Sequence, residues 1–220
     1  MPLILFLFFH KRKIGIGSGA ILVYCSYSFI NDIFISFSRH LEVSHLIFHA
    51  LSLFTLIEYI LFSYIVYSIL QNKILKRILL ISAPLFITFS IIQYLKTSSG
   101  MIDALSITVE NIIIIIFCLL YFYEEITEPQ VSFVYSTPAF WLIAGILIYS
   151  TGTFFLFMFS ENLSDDEWEK WSIINFVFTI IKNLCFCIAV TIKSNSHNLP
   201  SYESPDNDMF ENTLTYKSNP

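Results

Sequence analysis

Charge is what this chain has least of. Only 13% of its 220 residues are Asp, Glu, Lys or Arg, against about 25% in an ordinary soluble domain. That deficit excludes a water-soluble globule. A basic surplus is also missing: 12 Lys+Arg against 17 Asp+Glu leave a net charge of −5. Nothing there attracts a phosphate backbone, so no nucleic-acid partner is expected. Cysteine is limited to Cys25, Cys118, Cys185 and Cys187, each inside an apolar run, where a thiol serves as a small packing group. On a helix Cys185 and Cys187 point about 200° apart, which suits neither a disulfide nor a metal. Gly15, Gly17 and Gly19 lie close together, but no strand precedes them and a phosphate-cradling loop is excluded. No Ser/His/Asp set with hydrolase-type spacing appears, and no cofactor is expected.

What fills the chain instead is apolar. Hydrophobic residues make up 55% and aromatics 17%, and mean hydropathy is +0.69. Bilayer-length runs fall at about 14–38, 45–70, 77–95, 102–123, 137–160 and 171–192, each long enough at 1.5 Å per residue to cross a core of roughly 30 Å. These runs are too long and too unalternating for barrel strands, and backbone groups in lipid must be bonded internally. The expected fold class is therefore all-α: a polytopic transmembrane helical bundle of about six full spans plus a short N-terminal apolar segment. Ser136-Thr137-Pro138 is a helix start, with a hydroxyl cap before a proline. Trp141, Trp168 and Trp171 fit interfacial belts.

The division of the chain is about 1–13 (apolar segment and basic stretch), about 14–192 (membrane bundle) and about 193–220 (a polar tail of the kind expected to be disordered and cytoplasmic). Residues 3–9 are apolar and are followed at once by His10-Lys11-Arg12-Lys13. A signal peptide would carry its charges first, so the segment reads either as the trailing end of a further span or as a surface anchor. One side of the membrane collects Lys11, Arg12, Lys13, Lys73, Lys76, Arg77 and Lys193, the other Arg39, Lys96 and Lys170. The positive-inside rule makes the first side cytoplasmic, C-terminus included.

Three stretches carry a family resemblance: Leu56-Ile57-Glu58-Tyr59, the run from Phe117-Cys118 through Tyr121-Phe122-Tyr123, and Pro138-Ala139-Phe140-Trp141 with Gly145, Tyr149 and Gly152 behind it. Together they resemble a group of small, uncharacterised bacterial multi-pass integral membrane proteins. The resemblance covers most of residues 14–192. It implies a bacterial inner-membrane setting and about seven spans, the first of them missing or shortened here, and it carries no activity and no site residues.

The few ionisable residues inside the spans are the informative ones. Glu58, Glu110 and Lys182 each sit alone in an apolar run, where a charge costs roughly 2.5–3.5 kcal/mol on insertion scales. Their spans all begin on the same side, and residue counts put the three within roughly 8 Å of one another in depth. Asn111 adjoins Glu110, and Asn175 shares a helix face with Lys182. Two readings stand. Glu58, Glu110, Asn111, Asn175 and Lys182 form a mid-membrane pocket for a proton, a cation or a small ligand, or a buried ion pair fixes helix register. In either case two carboxyls share one ammonium, so one of them is expected to hold its proton.

Gly145, Tyr149 and Gly152 lie on one side of the fifth span and read as a helix-packing seam with a hydrogen-bonding tyrosine. His45 and His49 are four apart, a spacing that puts two imidazoles on one helix face. Asp32 is a candidate third metal ligand, and the alternative is histidines that simply bind water or headgroups. The expected role is non-enzymatic: a sensory, scaffold or ligand-binding bundle. Its partners would be the lipid bilayer and a membrane signalling protein or further copies of the chain. A small proton- or cation-coupled carrier using Glu58, Glu110 and Lys182 is the alternative, and a membrane metal-dependent hydrolase a second one.

Overall fold

A run of five isoleucines, Ile112 to Ile116, lies in the middle of an α-helix. Such β-branched runs favour strands in water. In hydrocarbon the backbone must bond to itself, and that requirement overrides side-chain preference. The computed structural model describes residues 18–40, 44–96, 104–127, 134–159 and 165–192. Its helices are α1 (Ser18–His40), α2 (Ser44–Ile69), α3 (Lys73–Lys96), α4 (Ala104–Thr127), α5 (Pro138–Phe159) and α6 (Asp165–Thr191), with a 3₁₀ turn at Val134–Ser136. Among the described residues there is no strand.

Consecutive helices run up and down, and the contacts between them fix the register. Tyr27 of α1 stacks on Phe54 of α2, ring centroids 5.8 Å apart. The Tyr59 and Ser82 hydroxyls, on α2 and α3, are 2.9 Å apart. Phe122 of α4 meets Phe140 of α5 edge-on at 5.6 Å. On α5 and α6, Thr153 donates to Asn175 Oδ1 at 3.1 Å. The buried core runs through α2, α4 and α5 and includes Tyr59, Phe62, Ile65, Ile114, Cys118, Ile143 and Ile146. By contrast α3 is peripheral, with Leu79, Phe86 and Ser90 buried and Ile74, Leu80, Leu85 and Leu95 turned outward.

Among the described residues five helices are long and apolar enough to cross a membrane, and α1 adds a shorter apolar stretch, Gly19–Ile35. The expected first full span is thus the weakest: Asn31, Asp32, Ser36, Ser38 and Arg39 dilute its second half. The chain is a multi-pass helical membrane protein. Helix α6 starts at Asp165, earlier than hydropathy places it. Its added turns hold Asp165, Asp166 and Glu167, acidic residues that favour a helix N-terminus and that an apolarity scan cannot register. Helix α5 starts where expected: Pro138 is its first residue, and the Phe140 N–H donates to Thr137 Oγ1 at 3.3 Å. The Trp141 indole beside it donates to the Tyr135 carbonyl at 2.9 Å. The expectations for 1–13 and for 193–220, and the side chains of Trp168 and Trp171, lie outside the described residues.

The α2–α3 turn is clasped by a neighbouring helix. Asn72 Oδ1 caps α3, accepting from the Ile74 N–H at 2.8 Å. The Glu124 carboxylate of α4 accepts from the Gln71 N–H at 3.1 and 3.2 Å and from the Asn72 N–H at 2.5 Å. Bonds to a charged acceptor are worth about 1.5–3 kcal/mol when sheltered and less in water. Glu124→Ala is therefore expected to cost about 1 kcal/mol and to speed amide exchange at Gln71 and Asn72, with exchange in mid-α2 unchanged. Unchanged exchange at the turn would show that the clasp carries no stability.

Candidate functional site

Most hydroxyls in the spans are satisfied on their own helix. Thr108 donates to the Ala104 carbonyl at 2.7 Å, Thr151 to that of Leu147 at 2.7 Å and Thr179 to that of Asn175 at 3.0 Å. These side chains close back on their own backbone, the usual resort of Ser and Thr in a helix. Two of the exceptions, the Tyr24 and Tyr149 hydroxyls, converge on Glu58. It lies about 21 Å along α2 from its start and about 17 Å from its end at 1.5 Å per residue, near mid-span, and is buried.

Four side chains from four helices close a ring there. Tyr24 of α1 donates to Glu58 Oε1 at 2.7 Å, and Tyr149 of α5 donates to Glu58 Oε2 at 3.3 Å. Lys182 of α6 donates from Nζ to the Tyr24 hydroxyl oxygen and lies over the Tyr149 ring, 3.4 Å from its centroid. An ammonium has no acceptor, so the single Tyr24 hydrogen points to Glu58. Cation and anion therefore meet through a tyrosine hydroxyl, and each end polarises it. The aromatic rings complete the seat: Lys182 Nζ is 4.8 Å from the Tyr24 centroid and 5.8 Å from that of Phe62. A desolvated cation–π contact is worth about 2 kcal/mol, and here it replaces part of the ammonium's lost hydration. Lys182 is 1% exposed.

Helices α5 and α6 must lie close for Lys182 to reach Tyr149, and the glycine seam allows it. A Cβ on Gly145 would be 2.8 Å from Cys185 Cβ and 3.3 Å from the Lys182 carbonyl oxygen, and one on Gly152 would sit within the Phe178 ring. Tyr149 is thus more than a packing residue.

Glu110 of α4 stands beside the ring. It is 2% exposed and close enough to Glu58 and Lys182 to interact electrostatically with both. Its Oε1 is buried without a hydrogen-bond partner, as are Ser63 Oγ and Ser150 Oγ. Asn111 is buried but spends its amide on its own helix, Nδ2 donating to the Ile107 carbonyl at 2.7 Å. Asn175 lies two turns from Lys182 and ties α6 to α5 through Thr153 rather than joining the ring.

Of the candidate metal ligands, His49 and Asp32 have described side chains. His49 Nδ1 and the Tyr94 hydroxyl on α3 are 2.7 Å apart, and Asp32 is exposed on α1. The side chain of His45 lies outside the described residues. Among the described residues no three His, Cys, Asp or Glu side chains gather as metal ligands.

Residue patterns alone overlook Tyr24 and Phe62. A signal for Tyr24 exists in the sequence: tyrosine favours the membrane interface, so a tyrosine in the apolar middle of a span needs a buried partner. The ring can hold a charge pair out of water and pass a proton along its O–H···O links. Fold and site together define a polytopic α-helical membrane protein with a buried, charge-bearing polar centre. Comparison with protein-family models, curated proteins and solved structures finds no match for this chain.

Proposed function

We propose that this protein is a non-enzymatic membrane bundle of the bacterial inner membrane, C-terminus in the cytoplasm, which responds to a ligand or ion within the bilayer. One observation carries the reading: two carboxyls and one ammonium are buried within interaction range of one another inside the bundle, and one carboxyl oxygen among them lacks a partner. Structure alone needs the charge pair and gains nothing from a second acid beside it. The response is passed to a neighbour in the membrane, either a signalling protein or another copy of the chain. The resemblance to small bacterial multi-pass proteins and the positive-inside asymmetry support this setting.

The carrier reading has one specific observation in its favour, the same unpartnered Glu110 oxygen, because a transported ion needs a vacant ligand. Reconstitution separates the two. Full-length protein in liposomes, given a stepped pH gradient or potential, is expected to change its intrinsic aromatic fluorescence without sustained proton or cation flux. Flux that disappears in Glu110→Gln would make the protein a carrier. A silent fluorescence trace would remove the sensory reading.

A further inference from the structure

Lys182 and Glu110 have complementary deficits. An ammonium has three donors, and Lys182 uses one, on Tyr24, with an aromatic face below it. Glu110 has a buried acceptor oxygen with no donor. The two groups interact electrostatically, and Glu58, the present anion of the ring, repels a charge on Glu110 from the same site.

We propose that Glu110 is a proton-binding site, and that its proton decides which of two carboxylates Lys182 serves. In the arrangement described, Glu58 is the anion, held by both tyrosines, and Glu110 carries the proton. In the second arrangement Glu110 has given up its proton and Glu58 has taken one: Glu110–COOH and Glu58–COO⁻ become Glu110–COO⁻ and Glu58–COOH. The ammonium keeps its charge, and the net charge of the site stays the same. Lys182 then turns from Tyr24 toward α4. The inference rests on the proposal above that the polar centre is responsive, and it makes the location of one held proton, rather than proton uptake, the variable.

A metal cation is the poorer occupant, because the Lys182 ammonium already supplies the positive charge and would repel a second one. The groups facing Glu110 on each packed helix are consistent with this. Helix α2 presents Glu58 and Tyr59, α5 presents Tyr149 and has no charged residue, and α6 presents Lys182. Helix α3 reaches the site through Ser82 on Tyr59, its charges lying near its ends at Lys73, Lys76, Arg77 and Lys96. From α1, Asp32 acts on Glu58 and Lys182, and Tyr24 bridges them. The exchange changes the helices that α6 is tied to, releasing α1 and engaging α4. That is a mechanical output from one proton.

Infrared spectroscopy of the full-length protein in nanodiscs at neutral pH tests this by counting protonated carboxyl C=O bands. Wild type is expected to show one band that is lost in Glu110→Gln and kept, at a shifted frequency, in Glu110→Asp. Glu58→Gln is expected to lose the band as well, because Lys182 then makes Glu110 its anion. Lys182→Met is expected to show two bands. A band insensitive to Glu110→Gln overturns the proposal. So does a band that persists in Glu58→Gln, which would make Glu110 a buried neutral acid that Lys182 does not ionise. These equilibrium spectra do not depend on flux or signalling, so the site can stand if the sensory reading fails, and the reverse.

Discussion

Lys182→Met is expected to cost about 3–5 kcal/mol, the usual loss when one member of a buried charge pair is removed. For a chain of this size that lowers the melting temperature by about 6–20 °C. Methionine fills most of the lysine stem's volume, so the loss is not a cavity effect. It comes from leaving Glu58 with two tyrosine hydroxyls and no cation at mid-span. Glu58→Gln is expected to destabilise as well, because the Lys182 ammonium, buried at 1% exposure, loses the anion bridged to it through Tyr24 and must turn to Glu110. The double variant Glu58→Gln/Lys182→Met should recover part of the loss, because the glutamine carbonyl still accepts from a tyrosine and no unpaired charge remains. Melts in detergent that show strictly additive losses would mean that the charges are not coupled through Tyr24.

Gly145→Ala should be a damaging methyl addition on α5. Its Cβ would press on Cys185 Cβ at 2.8 Å and on the Lys182 carbonyl oxygen at 3.3 Å. Backbone cannot rotate away as a side-chain tip can, so α5 and α6 must separate. Overpacking of this kind costs about 1–3 kcal/mol. The separation also lifts Lys182 off the Tyr149 ring, so the variant should shift Tyr149 spectroscopically as well as lower the melt. Gly19→Ala is the control: nothing lies within 4 Å of its added methyl, and alanine is the better helix former. Equal effects at both positions would mean that helix propensity, rather than the α5–α6 seam, sets the response.

The sequence makes the fold legible because the bilayer leaves one solution for long apolar runs. Hydropathy finds α2 to α5 closely for that reason. It places α6 late, since the acidic first turns of α6 project beyond the apolar run, and it overrates α1, whose second half is diluted by Asn31, Asp32 and Arg39. The site is legible only in depth. Counting residues from a common side brings Glu58, Glu110 and Lys182 to similar levels, and depth says nothing of rotation about each helix axis. Rotation decides that Asn111 turns back to its own helix and that Asn175 joins Thr153. It also brings Tyr24, from a helix running the opposite way, between the two charges. Charge-seeking alone cannot find a neutral bridge. The glycines at 145 and 152 read correctly as close approach in general terms, but their partners, Cys185 and Phe178, follow only from the register of α5 on α6.

The Tyr24–Lys182 bond joins residues 158 positions apart, which bears on how the protein is made. Ribosomes emit α2 well before α6. At roughly 5–20 residues per second, about 6–25 seconds pass between synthesis of Glu58 and of its cation. Throughout that interval the nascent chain holds an acidic group in lipid with its counter-charge still unwritten. The polar centre can therefore close only once α6 has been made, whatever the earlier helices have already settled among themselves.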